Sequence, residues 1–389
     1  MGLATTALAQ ADAEPDIPIK PYRETGRAVT PPYPGYHVDL TTTGNIVRIV
    51  DLDGQLVRQW ASSEPDWAFA ELVKPLPRGH ILALMTNVAR PGPPHRKRLT
   101  EYNWDGEKVW EFDPGPLDRF MHHDFERLPN GNTIFVVEHR RPGPVMLPEE
   151  VWDDMLMEVD PAGNIVWEWS STEHAEQMPV PASAWAFLAT TPATPKRPFH
   201  LNSIQTLPPN PWEATDSRFA AGNLLLSYRV TNTLIIVERS TGNVVWGMHN
   251  QTLGQHHARI IPAGLRGAGN MLIFDNGGRI GAPPLQRNFS RVIEIVPTTG
   301  QLVWEYVCPG GADDQVHCTQ KFYTQFMGSA QRLPNGNTLI CESGPGRVFE
   351  VDGLYDETVW QRRAPGQSYY RGYRWELYWP GHNIPRFIW

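Results

Sequence analysis

Short apolar runs separated by turn residues recur along the chain. One unit is a turn followed by an apolar run, as in LPRGHILAL (76–84), LPNGNTIFVV (128–137) and LPNGNTLICE (333–342), with looser copies at 207–227 and 261–274. The second unit is a hairpin ending in a tryptophan anchor, and the anchors are Trp60, Trp110, Trp167, Trp246, Trp304 and Trp360. Asp-Gly and Asn-Gly pairs supply the positive φ angles of tight hairpins, so the two units together predict about four strands per copy.

The spacing of the anchors predicts the architecture. Consecutive anchors lie 50, 57, 79, 58 and 56 residues apart, which gives six copies. Four-stranded units arranged radially form a β-propeller, in which each outer tryptophan packs on the next blade. We therefore predict an all-β, six-bladed β-propeller with antiparallel four-stranded blades over residues 36–389, after an N-terminal segment, 1–35. The first copy lacks a leading LPNG hairpin, so a strand from WELYW (375–379) is predicted to close the ring.

Two connections are longer than the repeat requires. The spacing of 79 residues places an insertion at 171–198, and a second polar connection runs through 309–325. Long loops in compact folds tend to be functional, so both are predicted to cover one face of the ring. Their aromatic side chains offer surfaces for an aryl ring, but core packing is the favoured role for Trp185, Phe187, Phe322 and Tyr323.

Composition limits the function classes and the compartment. With 34 basic and 42 acidic side chains the net charge is −8, which argues against nucleic acid or an anionic membrane as the main partner. No segment has the apolar length of a membrane span. Cys308 and Cys318 are close enough in sequence to bridge one loop in an oxidising compartment, and Ala7-Leu8-Ala9 has the spacing of a signal-peptidase site. A periplasmic or secreted location is favoured, with a cytoplasmic one left open.

Aligning the copies on the leucine of LPNG brings out two sets of polar positions. Counting five residues back from that leucine gives Glu71, His123, Asn202, His256 and Gly328, and His200 lies two residues before Asn202 on the same strand face. Counting six residues past the Asn of Gly-Asn, or the His of Gly-His, gives Thr86, Glu138, Arg229, Asn276 and Ser343. Equivalent positions in a propeller converge on the central axis, so two polar rings are predicted to line a channel.

Histidines and one arginine in such a channel suit transfer or cleavage of an anionic group. Neutral imidazoles serve nucleophilic and acid–base steps near pH 7, while a guanidinium binds two oxygens of an oxyanion. His122 and His257 neighbour two ring positions. Strand alternation points them to the other face and favours a structural role, but a shift of one residue in the alignment would bring them into the channel. No Walker loop, GxGxxG or GxSxG sequence supports nucleotide-dependent or serine-hydrolase chemistry.

At these residues the chain resembles the bacterial aryl-sulfate sulfotransferases, a nucleotide-independent family with a six-bladed propeller. The resemblance covers roughly residues 35–389 and lies in the motifs HHDFERLPNGNT (122–133), HLNSIQ (200–205), SYR (227–229), QHHARI (255–260), FDNGG (274–278) and GSAQRLPNGNTLI (328–340). It implies ping-pong transfer of a sulfuryl group from an aryl sulfate to a phenol through an enzyme histidine, without metal, cofactor or nucleotide. The large N-terminal β-domain of the best-known members has no counterpart here, so the oligomeric state stays open.

The resemblance also assigns roles. It makes His256 the nucleophile, His200 and Arg229 sulfate-binding residues and His123 an acid–base or sulfate contact, and these four are the predicted catalytic residues. The predicted substrate-binding residues are Asn202, His122, His257, Asn276, Glu138 and Ser329.

Two other functions compete with this interpretation. The first is a propeller lyase or hydrolase, in which His123, His200 and His256 coordinate a divalent metal with Glu138 as a carboxylate ligand. A guanidinium at Arg229 beside such a cation is unfavourable. The second is a non-catalytic propeller that binds a partner on its faces, in which the channel histidines are dispensable.

Overall fold

The fold is a ring of six four-stranded antiparallel sheets, as the repeat predicts. A computed structural model describes residues 29–40, 45–89, 96–192, 196–278, 286–307, 322–364 and 366–376. Cys308 and Cys318, the signal-like segment and most of the 309–325 connection lie outside these residues, so the pairing of the two cysteines stays open. Cys341 is a buried free thiol on a strand, as its apolar setting suggests.

The strands of each blade follow one another outward from the axis. Blade 1 contains β24 (Arg374–Trp375), β1 (Tyr36–Asp39), β2 (Ile46–Val50) and β3 (Leu56–Ala61). Blade 2 contains β4 (Trp67–Pro75), β5 (Ile81–Asn87), β6 (Lys97–Tyr102) and β7 (Lys108–Phe112). Blade 3 contains β8 (Phe120–Arg127), β9 (Thr133–Pro142), β10 (Glu150–Val159) and β11 (Ile165–Ser170).

The remaining three blades repeat this order. Blade 4 contains β12 (Leu201–Thr206), β13 (Leu224–Tyr228), β14 (Thr233–Val237) and β15 (Val244–His249). Blade 5 contains β16 (His256–Ile260), β17 (Met271–Asp275), β18 (Arg291–Val296) and β19 (Gln301–Tyr306). Blade 6 contains β20 (Ser329–Arg332), β21 (Thr338–Glu342), β22 (Arg347–Val351) and β23 (Thr358–Arg363). Short 3-10 turns occur at Pro77–Gly79, Gly115–Leu117, Ala175–Gln177 and Ser217–Phe219.

The ring closes with a strand from the C-terminal end, as predicted from the incomplete first copy. Strand β24 pairs antiparallel with β1, with Tyr36 opposite Trp375 and His37 opposite Arg374. Because β24 takes the innermost place of blade 1, both ends of the chain contribute to one sheet. The residues just before β24 consequently lie near the centre of the ring, where Arg371 contacts Asp124.

Each blade is fastened to the next by an indole N–H at its outer edge. The Nε1 atoms of Trp60, Trp110, Trp246 and Trp360 donate to backbone carbonyls of the next blade at 2.9–3.1 Å, and Trp304 donates to Asp356. Blade 3 differs from the prediction, because Trp169 makes this bond, to the Gly242 carbonyl at 2.8 Å. The ring of Trp167 instead carries the Arg239 guanidinium, 3.7 Å from its centroid.

The 171–198 insertion forms a short helix, α1 (Ala182–Thr190), over blades 3 and 4. Ala184, Trp185 and Leu188 of α1 are buried in the core shared by these blades, and Phe187 packs against it. The Lys196 ammonium donates to the Ala189 and Thr191 carbonyls and so satisfies the C-terminal end of the helix. Trp185 and Phe187 therefore serve core packing, which was the favoured role.

A buried ion cluster ties the inner strands together at the centre of the ring. The Asp124 carboxylate on β8 lies 2.8 Å from Lys74 Nζ of β4, 3.3 Å from an Arg259 nitrogen of β16 and 2.9 Å from Arg371, which precedes β24. It also accepts the Ile204 N–H of β12 at 3.0 Å. We call Lys74, Asp124, Arg259 and Arg371 the axial ion cluster, because its one carboxylate contacts inner segments of four other blades.

Candidate active site

The ring nitrogens of His256 are fixed in one tautomer by their neighbours. Nδ1 lies 2.8 Å from Asn276 Oδ1 and 3.1 Å from the Gly254 carbonyl, and both of these atoms are acceptors. Nδ1 must therefore carry the proton. Nε2 accepts the backbone N–H of Met327 at 3.2 Å, which agrees with a lone pair on that nitrogen. A buried imidazole with a lone pair on Nε2 is a competent nucleophile.

Asn276 is itself held in the orientation that this tautomer requires. Its side-chain nitrogen donates to the Thr324 and Met327 carbonyls at 3.0 and 2.8 Å. The amide oxygen consequently faces His256 and cannot exchange places with the nitrogen. Asn276, a predicted substrate-binding residue, is in contact with the predicted nucleophile and positions it.

Arg229 and His200 are in contact at the edge of blade 4, where β12 begins and β13 ends. The Arg229 N–H donates to the His200 carbonyl at 3.1 Å, which continues the pairing of β12 with β13. The guanidinium is half-buried, and its Nε is buried with no hydrogen-bond partner among the residues that the structure describes. Burial lowers the pKa of Arg229, but a guanidinium stays protonated at neutral pH. Unpaired N–H groups beside a nucleophile are suited to binding the oxygens of an anion.

His123, His122 and His200 are in mutual contact on the blade 3 side. The rings of His123 and His200 have centroids 4.6 Å apart, and the Nδ1 atoms of His122 and His123 lie 2.6 Å apart. His122 Nε2 is 3.1 Å from Asp154 Oδ1 of β10. We call His122, His123, His200 and His256 the histidine cluster. His122 thus belongs to the site, which is the outcome that a one-residue shift in the alignment allowed.

His123, His200 and His256 are kept neutral by burial and by nearby positive charge. Burial, and next Arg229, lower the pKa of His256 to about 3. The pKa of His200 falls well below its usual value for the same two reasons. Burial, followed by the neighbouring His200 and His122, likewise depresses the pKa of His123. These shifts favour uncharged imidazoles at His123, His200 and His256 at neutral pH.

The backbone at the histidines departs from regular strand geometry. His123, His200 and His257 have φ angles of 58°, 60° and 49°, in the left-handed region that residues other than glycine seldom adopt. Each is at or next to an irregularity of an inner strand, between Met121 and Phe125, Leu201 and Ser203, or His256 and Arg259. Such strain costs about 1–3 kcal/mol per residue and concentrates at functional sites.

The acidic members of the two predicted rings are neutralised by cations. Glu138 forms an ion pair with Arg197, and Glu71 lies 3.0 Å from Lys97 Nζ. The negative charge of Glu138 is therefore balanced by the positive charge of Arg197.

Other predicted site residues have mainly structural partners. The Asn202 amide donates to the Gln255 carbonyl at 2.8 Å, next to His256, while its oxygen is buried without a hydrogen bond among the described residues. Ser329 accepts the Gly372 N–H at 3.1 Å, and so braces the closing segment. His257 accepts the Ala330 N–H at 3.4 Å and packs on Tyr373, which places it with the axial ion cluster.

Two residues at the site were missed by the sequence analysis. Asp154 is one of two adjacent aspartates at the centre of the strand EVWDDMLMEV, a signal that could have drawn attention to it. Tyr370 lies against His123, with ring centroids 6.1 Å apart, and its buried hydroxyl has no partner within the described parts of the chain. No local pattern marks Tyr370, because its position depends on closure of the ring.

The metal-dependent alternative can be compared with this geometry. Within the ranges that the structure describes, no three His, Cys, Asp or Glu side chains are arranged to hold a metal ion. The guanidinium of Arg229 is the largest source of positive charge acting on His200 and His256.

None of the helices found in the described part of the chain has the length and apolar character needed to cross a bilayer.

Fold and site together define a six-bladed propeller in which a cluster of histidines and one arginine lie close together where the inner strands converge. The family model Arylsulfotransferase (ASST) matches residues 97–364, and the chain belongs to this family. Membership supports a transferase of the sulfotransferase type and implies aryl sulfate and phenol substrates. No protein of curated function matches the chain in sequence.

Solved structures share the fold at low sequence identity. A protein of unknown function from Bacteroides caccae is 15% identical with a TM-score of 0.52, over 87% of this chain and 98% of that one. AztD from Citrobacter koseri is 9% identical, with a TM-score of 0.42 and the same coverages of 87% and 98%. Virginiamycin B lyase from Staphylococcus aureus is 12% identical, with a TM-score of 0.43 over 85% and 84%. These likenesses concern the propeller fold alone.

Proposed function

We propose that the protein transfers a sulfuryl group from an aryl sulfate to a phenol through a sulfo-histidine at His256. The observation that carries the proposal is the state of His256, a neutral imidazole with its proton held on Nδ1 by Asn276 and its lone pair on Nε2. The guanidinium of Arg229 supports it, because its Nε has no hydrogen-bond partner among the described residues and its charge lowers the pKa of His256.

In the first half-reaction His256 Nε2 attacks the sulfur of the aryl sulfate. An N–S bond forms while the S–O bond to the aryl group breaks, and the phenolate that leaves takes a proton from His123. The weak Met327 N–H contact to Nε2 gives way to the new bond. Arg229 and His200 bind the sulfuryl oxygens, and removing one such preorganised donor typically costs about 10²–10³ in rate.

In the second half-reaction an acceptor phenol attacks the same sulfur. The N–S bond breaks, a new S–O bond forms and the phenolic proton returns to His123. The sum is an exchange of a sulfuryl group between two phenols, so no external acid, metal or nucleotide is consumed. The first product must leave before the acceptor enters, which requires ping-pong kinetics.

The test is the intact mass of the protein after brief exposure to p-nitrophenyl sulfate without acceptor. We expect one added sulfo group and one equivalent of nitrophenol in the wild type. His256→Ala should show neither, while His257→Gln, a change at the next residue, should show both. Adding phenol should remove the adduct and yield phenyl sulfate.

Two results would contradict the proposal. Absence of both adduct and nitrophenol in the folded wild type would exclude sulfuryl transfer from this donor. An adduct of equal yield in His256→Ala would place the nucleophile on another residue.

A further inference from the structure

His122 connects a buried carboxylate to His123. Its Nε2 lies 3.1 Å from Asp154 Oδ1, an ion-pair distance that is not aligned as a hydrogen bond, and its Nδ1 lies 2.6 Å from Nδ1 of His123. The Asp154 side chain is 8% exposed and that of His122 is 12% exposed, so water screens neither contact strongly. The three side chains form a continuous line from β10 to the histidine cluster.

Asp154 is fixed in place by several hydrogen bonds. Its Oδ2 accepts the backbone N–H of His200 at 2.7 Å, and its carbonyl accepts the hydroxyl and the N–H of Ser171. The carboxylate therefore supports the strained backbone of His200 with one oxygen and faces His122 with the other. This double role leaves little freedom for it to turn away from His122.

The contact between the two Nδ1 atoms restricts where protons can be. A hydrogen bond between two imidazole nitrogens needs one protonated and one bare atom. A carboxylate beside His122 Nε2 favours a proton on that nitrogen. If His122 is neutral, its Nδ1 is then bare, so His123 donates from Nδ1 and keeps a bare Nε2. If His122 is a cation, His123 accepts at Nδ1 and carries its proton on Nε2.

We propose that Asp154, His122 and His123 form a proton relay that stores the proton exchanged between the two half-reactions. The proposal rests on the sulfuryl transfer described above. Asp154 acts as a positioning residue, because it holds the charge on His122 and does not touch substrate. His123 is the member that meets the substrate, through Nε2, its one ring nitrogen not engaged with His122.

The protons balance across the cycle. In the resting relay His122 is cationic and His123 has Nε2–H. When the donor's S–O bond breaks, that proton passes to the leaving phenolate, and the His122 Nδ1 proton moves to His123 Nδ1. His123 then has a bare Nε2, which takes the proton of the acceptor phenol, and the Nδ1 proton returns to His122. Each half-reaction reverses the proton shifts of the other.

Charges around the pair favour His122 as the place of storage. His123 is opposed as a cation by its burial, by His200 and by Lys97 of blade 2, whereas His122 has Asp154 beside it. The other charged groups of this region are Glu71 with Lys97, Glu138 with Arg197, and Arg229. A carboxylate next to one imidazole of a hydrogen-bonded pair selects that ring for the positive charge.

The decisive variant is Asp154→Asn, assayed with two donors. The amide oxygen of this variant can still accept the His200 N–H, so the amide nitrogen faces His122. An N–H donor at this place requires a bare Nε2 on His122 and therefore reverses the tautomer of His122. Replacement of the orienting carboxylate has the same effect in catalytic triads. Phenyl sulfate, whose leaving phenolate is strongly basic, should react about 10²–10⁴-fold more slowly than in the wild type. p-Nitrophenyl sulfate, whose leaving group needs little protonation, should form the sulfo-histidine adduct at close to the wild-type rate.

The matched control is Asp153→Asn, at the next position of the same strand. Asp153 is fully buried but bonds Ser170 and Thr172 on the other side of the sheet. This control should lower reactivity toward both donors equally or not at all. An equal loss with both donors in Asp154→Asn would overturn the relay and show a structural role. Failure of the wild type to form any adduct would instead refute the sulfuryl transfer.

The protonation of His122 can also be measured without turnover, by ¹⁵N NMR of histidine-labelled protein. Comparison with His122→Gln assigns the signals. We expect a protonated Nε2 on His122 in the wild type and an unprotonated one in Asp154→Asn. A bare Nε2 in the wild type would overturn the relay even if sulfuryl transfer is confirmed.

Discussion

The histidine cluster and the axial ion cluster occupy adjacent positions on the same inner strands, yet they differ in how their charges are satisfied. His123 directly precedes Asp124 on β8, and His256 is followed by His257 and Arg259 on β16. In the ion cluster, three cations share one carboxylate. At the histidine cluster, Arg229 Nε, the Tyr370 hydroxyl and the Asn202 oxygen are buried without partners in the described residues. We therefore expect the axial ion cluster to contribute mainly to the stability of the ring, and the histidine cluster to contribute mainly to ligand binding.

The strongest test of this difference is Asp124→Asn. Burial alone raises the pKa of Asp124, but Arg371, Lys74 and Arg259 together hold it well below its usual range. An amide in its place removes the counter-ion of Arg259 and Arg371 and leaves Lys74 with the Glu126 carboxylate at 4.0 Å. We expect a loss of about 3–5 kcal/mol in the free energy of unfolding, measured with urea.

Asp216→Asn provides the comparison for that loss. Asp216 pairs with Arg218 at the surface, and exposed pairs contribute at most about 1 kcal/mol. If Asp124→Asn costs no more than Asp216→Asn, the axial ion cluster does not hold the ring together.

The next largest effect distinguishes Arg229 of the histidine cluster region from Arg371 of the axial ion cluster. Arg229→Gln should lower kcat/KM with p-nitrophenyl sulfate by about 10²–10³-fold, because an oxyanion-binding group is lost. It should not lower the melting temperature, since Arg229 Nε satisfies no partner in the described structure. Arg371→Gln should lower the melting temperature, because Arg371 contacts both Asp124 and the Asn202 carbonyl. Equal losses of melting temperature in the two variants would remove the distinction between the clusters.

The same contrast explains what could be predicted from the sequence. Turn pairs, apolar runs and tryptophan anchors are local features that recur, so blade number, strand order and ring closure follow from them. The register within each copy also brought His123, Asn202, Arg229, His256 and Asn276 to one region. These predictions needed only the regular geometry of a repeated unit.

The parts that were not predicted depend on departures from that regularity. The positive φ at His123 and the irregular pairing of β8 with β9 break strict alternation, which is why His122 meets the site. Asp154 lies two strands away from His122, on β10, where counting from the LPNG leucine does not reach. Tyr370 and Arg371 come from the closing segment and are distant in sequence from His123 and Asp124, which they contact.

The smallest expected effect is a pH dependence at His257. Burial, and next Arg259 and Arg371, lower the pKa of His257 well below 6.5, so it is neutral in the folded protein. The unfolded chain takes up a proton there below about pH 6.5, and this residue therefore makes stability fall as the pH falls, by about 1.4 kcal/mol per unit. His257→Gln keeps an acceptor for the Ala330 N–H but cannot titrate. Its free energy of unfolding should decline less steeply than that of the wild type between pH 6 and 5, while kcat/KM at neutral pH stays close to wild type. Parallel stability curves would mean that His257 is protonated in the folded state, and a large loss of kcat/KM would move it from the axial ion cluster to the active site.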